Sequence, residues 1–324
     1  MAEVKVKKKI KVLKILGVIA AVIVLVNLAG FAVNSLFFSG ELDKIAPYGK
    51  MTDVNGGKMH VYSMGNGGKT IVLLPGFGVP LPSADFGPLM RKLSAKYTAV
   101  CVEYFGTGFS GQTDTARTNE NYVNEIRTAL KMNGFKPPYI LMPHSASGVY
   151  SEYYAAKYPR EVSAIIMLDT TSTGEKVSGN PPKFIFTIAK MQQATGLTRL
   201  TYGLIPAFHK KENGYTEKEI SDYRTFVFHT LNDTLINQSL SMADNINEVN
   251  ASVFPAEVPV LKILSSDTYK KIGTEYQDKH IKRLGKAAEL KVLEGTHFIY
   301  QTAAGSILNA ADEFIVKSEK RHLK

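Results

Sequence analysis

The stretch that most constrains this chain is residues 139–150. An apolar run, Tyr139–Pro143, stops abruptly before Ser145, which has small neighbours, and a helical pattern begins at once. Such a run is typical of a strand buried inside a sheet, and the pattern that follows it places Val149 and Tyr153 near one face of a helix. A strand that turns into a helix at a serine predicts a tight corner with the hydroxyl group at its tip.

A serine at this kind of corner is placed to act as a nucleophile. The turn requires small residues two positions before and after the serine, and the helix N-terminus offers an N–H group and a positive dipole end to a developing oxyanion. Pro143 and Ser147 stand where glycines are usual. Ser147 is small, and the fixed φ of Pro143 suits the end of a strand. The corner therefore predicts Ser145 as a nucleophile, although such a serine also serves as a loop residue or helix cap.

Buried-strand patterns alternate with helical patterns along most of the chain. This alternation predicts an α/β fold with a mainly parallel, doubly wound sheet. Residues 171–250 interrupt it with helical stretches near 182–195 and 216–247 and no convincing strand, which predicts a helical lid, with an interaction arm as the alternative. The predicted strands are a hairpin in 50–64 around Asn55–Gly57, then Thr70–Leu74, Thr98–Val102, Tyr139–Pro143, Ser163–Leu168, Pro259–Leu264 and Glu289–Leu293.

The N-terminal region carries lysines followed by a run without charge, Ile15–Phe38, in which Asn27 and Asn34 are the strongly polar residues. A helix of this length is about 36 Å long and can cross a hydrocarbon core of about 30 Å. The lysines predict a cytoplasmic N-terminus, with the remainder on the outer face of the cell membrane. A cleaved signal peptide ending near Gly30–Ala32 is the alternative. The predicted segments are a basic cytoplasmic segment (1–14), a transmembrane anchor (15–38), a linker (39–49), an α/β core (50–170 and 251–324) and the lid (171–250).

Composition excludes several classes of function. The chain has 324 residues, 44% of them hydrophobic, which suffices for a large core. The formal net charge is +10, but residues 1–14 contribute +5 and residues 317–324 contribute +3, so the body is nearly neutral and no nucleic-acid groove is indicated. Cys101 is the single cysteine, so no intrachain disulfide can form. The sequence contains no metal-binding or nucleotide-binding motif, so no metal or other cofactor is expected, and the sequence does not indicate an oligomeric state.

Three loops that follow predicted parallel strands carry a serine, an aspartate and a histidine. The carboxyl ends of parallel strands share one edge of a sheet, where open α/β sheets bind ligands. Ser145, Asp267 and His297 follow one another in the order Ser, Asp, His. In this chemistry His297 accepts the proton of Ser145, and Asp267 fixes the imidazole tautomer and stabilises its charge. The backbone N–H groups of Phe77 and Ala146 are the predicted oxyanion hole.

Alternatives exist for two of these roles. Asp169 also follows a strand and is the second candidate for the acid, but Asp267 leaves the strand directly before the histidine strand, and consecutive strands are usually neighbours. Ser147 is a weaker candidate for the nucleophile, because Val149 would then place a bulky group where the corner needs a small one. Glu103 also follows a strand, and a structural role is expected for it.

Five segments of the chain together resemble the α/β-hydrolase superfamily with a helical lid. They are an oxyanion loop (Leu74–Gly78), a Gly-x-Gly-x-Ser loop (Phe105–Ser110), a nucleophile elbow (Met142–Gly148), an acid loop (Leu264–Asp267) and a histidine loop (Gly295–Phe298). The resemblance covers residues 50 to the end, and Pro143 and Ser147 depart from the family pattern. Epoxide and haloalkane hydrolases of this family have an aspartate at the position of Ser145, so their alkyl-enzyme route is not expected.

The resemblance implies hydrolysis of an ester or amide, and it leaves the substrate open. The sequence thus predicts a membrane-anchored serine hydrolase that acts on a small or acyl-chain ester or amide through an acyl-enzyme. A peptidase and an acyltransferase use the same residues, and a membrane-tethered binding protein that has lost catalysis is the alternative from another class.

Overall fold

The computed structural model of the chain describes residues 2–204 and 208–322. Residues 1, 205–207 and 323–324, which belong to the predicted basic segment, lid and core, lie outside the described residues. The described part contains an eight-stranded sheet with the strand order β1-β2-β4-β3-β5-β6-β7-β8. The strands are β1 (Lys50–Val54), β2 (Gly57–Met64), β3 (Thr70–Leu74), β4 (Thr98–Val102), β5 (Tyr139–Pro143), β6 (Val162–Leu168), β7 (Val260–Ser265) and β8 (Ala288–Leu293).

The sheet is parallel except at one edge. Strands β1 and β2 form the predicted hairpin, with Val54 paired to Gly57, and β2 pairs antiparallel to β4. All other neighbouring strands are parallel. The central strands are buried on both faces, which is why their sequences read as continuous apolar runs. The predicted mainly parallel, doubly wound sheet is confirmed.

Helices cover both faces of the sheet and enclose two apolar cores. Helices α4 and α5 contribute Tyr122 and Tyr154 to the core on one face. Helices α3 and α12 contribute Leu89 and Phe314 to the core on the other. The helices are α1 (Ala2–Phe37), α2 (Pro82–Asp85), α3 (Gly87–Leu93), α4 (Asn119–Met132), α5 (Ser147–Lys157), α6 (Lys183–Ala194), α7 (Leu197–Thr201), α8 (Glu217–Val227), α9 (Asp233–Ala251), α10 (Ser266–Ile272), α11 (Thr274–Leu284) and α12 (Ala304–His322).

The chain divides into two compact units. Unit 1 consists of residues 1–45 and 183–206, and unit 2 of residues 46–182 and 207–324. The predicted insertion, 171–250, contains helices α6 to α9 and no strand among its described residues. It is divided between the units, because α6 and α7 belong to unit 1, whereas α8 and α9 belong to unit 2. Helix α9 packs on α5 of the sheet layer through Val149, Ile246 and Val249.

Unit 1 is built around the long helix α1. This helix is long and apolar enough to cross a membrane. Near its C-terminal end Asn34 donates from Nδ2 to the carbonyl oxygen of Ala194 at 3.2 Å, at the end of α6. Asn34 also accepts a hydrogen bond from Arg199 Nε at 3.0 Å. Asn34, a polar side chain in the apolar part of α1, thus holds α6 and α7.

Candidate active site

The corner between β5 and α5 has the strained geometry expected of a nucleophile elbow. Ser145 has φ +52°, in the left-handed region that residues other than glycine seldom occupy. Its N–H donates to the carbonyl oxygen of Leu168 at 3.2 Å, which ties the corner to the neighbouring strand β6. A Cβ at Gly148 would lie 2.6 Å from Thr170 Cβ, so only glycine permits this close approach. The turn holds the Ser145 hydroxyl group above the carboxyl end of the sheet.

The two departures from the usual elbow pattern fit the same geometry. Pro143 ends β5 as a paired strand residue opposite Leu74. Ser147 is fully buried, and its hydroxyl group donates to the carbonyl oxygen of Pro75. The Ser147 Oγ also lies 2.8 Å from the hydroxyl group of Tyr104. Ser147 is therefore a buried link between the elbow and the loop after β3, and its burial is incompatible with the alternative that it is the nucleophile.

His297 lies in the loop after β8 and faces Ser145. Its Nε2 atom is 2.9 Å from Ser145 Oγ, the distance of a hydrogen bond. Its Nδ1 atom is 3.3 Å from Oδ2 of Asp169. The imidazole side chain is 44% exposed, so a substrate can reach it. The arrangement lets one imidazole nitrogen accept a proton from Ser145 while the other donates to a carboxylate.

The carboxylate that contacts His297 comes from Asp169, directly after β6. The Asp169 side chain is fully buried, and Oδ2 accepts hydrogen bonds from Ser265 Oγ and Thr268 Oγ1, each at 2.7 Å. A buried carboxylate must be paired or hydrogen-bonded, and these two hydroxyl groups meet that requirement at Oδ2, whereas Oδ1 is buried without a hydrogen-bond partner among the described residues. They also fix the direction from which the carboxylate meets the imidazole.

The structure brings Asp169, and not the predicted acid Asp267, to His297 Nδ1. Strand β7 ends at Ser265 and α10 begins at Ser266, so Asp267 lies in the first turn of a helix with an exposed side chain. A negative charge at that point interacts favourably with the helix N-terminus. His297 must reach Ser145 at β5, and β6 lies beside β5, whereas β7 is one strand further away. The acid is therefore best placed on β6, the position of the alternative candidate, Asp169.

The predicted oxyanion-hole residues lie on the two segments that flank Ser145. Phe77 follows β3, which is hydrogen-bonded to β5, and Ala146 stands at the N-terminus of α5. A Cβ at Gly76 would lie 2.9 Å from Ser145 Cβ, so the loop before Phe77 passes directly against the elbow. The sequence places both segments correctly, and their role as an oxyanion hole remains a prediction.

A second histidine, His144, packs against His297, and the sequence patterns do not single it out. Its Nε2 atom is 3.0 Å from the carbonyl oxygen of His297, which can only accept, so the Nε2–H tautomer donates. Burial, and after it the neighbouring His297, lower the pKa of His144 to about 4. His144 is therefore neutral at physiological pH. It holds the backbone of His297 without adding a positive charge next to the imidazole that must accept a proton.

A groove of about 490 Å³ opens beside His297 and Asp169. Its other walls come from residues 170–172 and from α10 and α11, including Ile272 and Tyr276. A larger cavity of about 590 Å³ lies at the start of β5, near Pro137 and Arg127, at the end of the sheet away from Ser145. Open α/β sheets bind ligands at the carboxyl ends of their strands, so the groove beside His297 is the candidate substrate site. Within residues 2–204 and 208–322, no cluster of three or more His, Cys, Asp or Glu side chains could hold a metal ion.

Comparison with known proteins identifies the fold. A family model described as "alpha/beta hydrolase fold" matches residues 69–216, from just before β3 to the residue before α8. The epoxide hydrolase VrEH1 from Vigna radiata superposes with a TM-score of 0.66 at 22% sequence identity, covering 83% of this chain and 97% of that one. The chain has the α/β-hydrolase fold. The expectation from the five motifs is thereby confirmed at the level of the fold.

Two relatives illustrate the range of this fold. The uncharacterized protein YbdG of Bacillus subtilis is 29% identical over 333 residues, covering 95% of this chain and 98% of its own length. A 2-(acetamidomethylene)succinate hydrolase of Mesorhizobium japonicum is 32% identical over 94 residues, 29% of this chain and 34% of that enzyme. Hydrolases are thus among the relatives of this α/β-hydrolase-fold protein, and one relative extends over nearly the whole chain.

Proposed function

We propose that the protein is a serine hydrolase in which Ser145, His297 and Asp169 form the catalytic triad. The observation that carries the proposal is the position of the His297 imidazole, 2.9 Å from Ser145 Oγ on one side and 3.3 Å from the Asp169 carboxylate on the other. A serine hydroxyl is a weak nucleophile unless an oriented base removes its proton. The distances among the three groups, and the strained corner that presents the serine, support that step.

The reaction proceeds through an acyl-enzyme. Ser145 Oγ attacks the carbonyl carbon of the substrate while its proton passes to His297 Nε2, and the carbonyl oxygen becomes an oxyanion held by the N–H groups of Phe77 and Ala146. The tetrahedral intermediate then expels an alcohol or amine, which takes the proton from His297. Water, deprotonated by His297, attacks the ester on Ser145; the second tetrahedral intermediate then releases the acid, and His297 returns the proton to Ser145 Oγ. Asp169 stabilises the imidazolium ion in both half-reactions.

The substrate class that fits this site is a carboxylic ester, with an amide second. The groove beside His297 combines apolar and polar walls, because Ile272 and Tyr276 line it together with the polar residues 170–172. Such a lining accommodates a small acyl or aromatic group next to polar substituents. A serine at position 145 forms an ester that water can hydrolyse, whereas the epoxide hydrolases of this fold use an aspartate there.

An ester panel of graded acyl length tests the proposal. The wild-type chain is expected to turn over at least one member of the panel, and Ser145→Ala to lower turnover by several orders of magnitude without unfolding the protein. Product analysis with an added alcohol or amine separates hydrolysis from acyl transfer, since a transferase yields a new ester or amide. A folded wild-type chain that turns over no ester and forms no covalent adduct with a serine-directed probe would favour the binding-protein alternative.

The proposal includes a membrane anchor. Helix α1 is long and apolar enough to span a bilayer, its large apolar side chains are exposed, and the lysines of residues 1–14 precede them. These features support a single-pass protein at the cell membrane with a cytoplasmic N-terminus and residues 39–324 outside. Protease added to intact cells should then digest the hydrolase unit. Complete protection would contradict this orientation, and a mature chain beginning near Val33 would favour the cleaved signal peptide.

A further inference from the structure

Helices α6 and α7 expose an unusual amount of apolar surface. Six large apolar side chains are exposed within residues 183–203, whereas eight are exposed in the whole described part of unit 2. Soluble surfaces seldom carry such concentrated apolar area, which marks an interaction site. Four of the six recur along α6 at helical spacing. The six are Phe184, Ile185, Ile188, Met191, Leu197 and Leu200.

These two helices contact α1 at a defined position along its axis, near Gly30 and Asn34. A Cβ at Gly30 would lie 2.5 Å from the carbonyl oxygen of Thr195, so the end of α6 passes directly against the α1 backbone. Asn34 donates to the carbonyl oxygen of Ala194, which has no partner within α6 because it lies at the helix end. Gly30 is eight residues before Phe38, the last residue of the uncharged run. Eight helical residues measure about 12 Å, so this contact falls within the outer half of the span.

Arg199 of α7 contacts residues that follow the end of α1, where the apolar run ends. Its guanidinium group forms an ion pair with Glu41, just after the end of α1, and lies 4.2 Å from the ring centre of Phe38. Charged and aromatic residues occupy such positions at the interface of a bilayer. The polar contacts of Arg199 thus extend from Asn34 to Glu41, at and beyond the end of the apolar run, while the contact of Thr195 with Gly30 lies deeper.

The charge of the segment agrees with a lipid surface. Residues 183–203 contain Lys183, Lys190 and Arg199 and no aspartate or glutamate. Basic helices with an exposed apolar face bind at the surface of membranes that contain anionic lipids. A soluble protein partner would need a surface that is both apolar and acidic, and it would have to approach at the level of the membrane.

We propose that α6 and α7 form an interfacial membrane element, with the apolar side of α6 inserted among the lipid chains of the outer leaflet beside α1. This inference rests on the proposed membrane anchor. It gives the enzyme a second attachment to the bilayer, inserted in the chain between Asp169 of the triad and the helices of unit 2. A hydrolase held in this way is suited to substrates that partition into the membrane, such as acyl esters.

Fluorescence quenching by lipids tests the inference. Met191 of α6 is 58% exposed and Met132 of α4 is 63% exposed, so Met191→Cys and Met132→Cys form a matched pair. The native Cys101 is buried and burial raises the pKa of its thiol, so a maleimide fluorophore reacts with the introduced cysteine. The full chain is placed in vesicles of equal parts phosphatidylcholine and phosphatidylglycerol that carry shallow or deep doxyl quenchers. A third variant, Val22→Cys, reports on the middle of α1.

We expect shallow quenchers to reduce the emission at Met191→Cys and to leave Met132→Cys unchanged, while deep quenchers reduce the emission at Val22→Cys. If Val22→Cys is quenched and Met191→Cys behaves like Met132→Cys, the interfacial element is refuted and the anchor stands. If Val22→Cys is not quenched, the anchor fails and the inference fails with it. Ester turnover of the same preparations is measured separately, so a failure of the proposed hydrolase activity is distinguishable from both.

Discussion

Replacement of Asp169 by asparagine probes the contact on which the orientation of His297 depends. The Asp169 side chain is buried, and Oδ2 accepts hydrogen bonds from Ser265 and Thr268 besides facing His297 Nδ1 at 3.3 Å. Asparagine has the same shape and keeps one acceptor, so the fold should persist. It removes the charge that stabilises the imidazolium ion and no longer enforces the productive tautomer.

The expected loss in kcat/KM for Asp169→Asn is about 10³–10⁴-fold, or about 4–5.5 kcal/mol of transition-state stabilisation. The lower end of the range reflects the 3.3 Å separation, which is longer than a strong charge-assisted hydrogen bond. The assay is steady-state ester hydrolysis at equal folded concentration, with folding checked by thermal unfolding. Asp267→Asn is the matched control, because its side chain is exposed on α10, and turnover should change less than about threefold. An active Asp169→Asn beside an inactive Asp267→Asn would refute the assignment of the acid.

Three further predictions concern two residues beside Ser145 and one buried lysine. Gly76→Ala should lower kcat by about tenfold or more, because its Cβ would lie 2.9 Å from the Cβ of Ser145. Gly68→Ala is the control, because a Cβ there has nothing within 4 Å, and its kcat in the same ester assay should not change. Ser147→Ala should lower kcat by about tenfold and still react with a serine-directed probe, since it loses the hydrogen bonds of the Ser147 hydroxyl group to Pro75 and Tyr104 and keeps Ser145; loss of labelling would move the nucleophile to position 147. Burial lowers the pKa of Lys262 from 10.5 to about 7, with His280 bonded to its amino group. Above pH 7 Lys262 is therefore protonated in the unfolded chain and largely neutral in the folded one, so the free energy of unfolding should rise between pH 7 and 8.5, by at most about 1.4 kcal/mol per pH unit. Chemical denaturation at several pH values measures this slope, and Lys262→Met should remove most of it.

Local sequence signals sufficed for the sheet and for the position of Ser145 at the corner between β5 and α5. Strands such as β3 and β5 are buried on both faces, so their apolar runs identify them without reference to other parts of the chain. The position of Ser145 follows from one strand, one turn and one helix, all within residues 139–150. His297 could also be placed, because it comes directly after the last strand and before the terminal helix. Each of these predictions depends on neighbours in sequence.

The acid depended on contacts that the sequence does not encode locally. Asp169 and Asp267 both follow strands, and adjacency to the histidine strand favoured Asp267. The histidine loop, however, reaches back across β7 and β6 to Ser145 on β5, so the nearer carboxylate is on β6. The hydroxyl groups of Ser265 and Thr268 that hold Asp169 lie about a hundred residues away in the chain. A single sequence gives no measure of such distances.

The sequence also gives no local signal that residues 171–250 are divided between the two units. The helical pattern near 182–195 predicted α6 well, but nothing in it distinguishes a helix that packs with unit 2 from one that packs on α1. Asn34 was visible as a polar residue in an apolar run, and its partners at Ala194 and Arg199 are about 160 residues away. Polar residues inside such a run are costly without partners, which is the physical hint that a second segment meets the helix there.

The most direct test of the account is the site at which a fluorophosphonate probe bonds to the protein. The purified full chain is treated with the probe, and the adduct is located by mass spectrometry of peptides that contain residues 139–157. The proposed triad predicts one adduct, on Ser145. The adduct should be absent from Ser145→Ala and should form much more slowly in His297→Ala, because the imidazole must remove the hydroxyl proton. An adduct on another serine, or labelling of Ser145 that does not depend on His297, would contradict the triad.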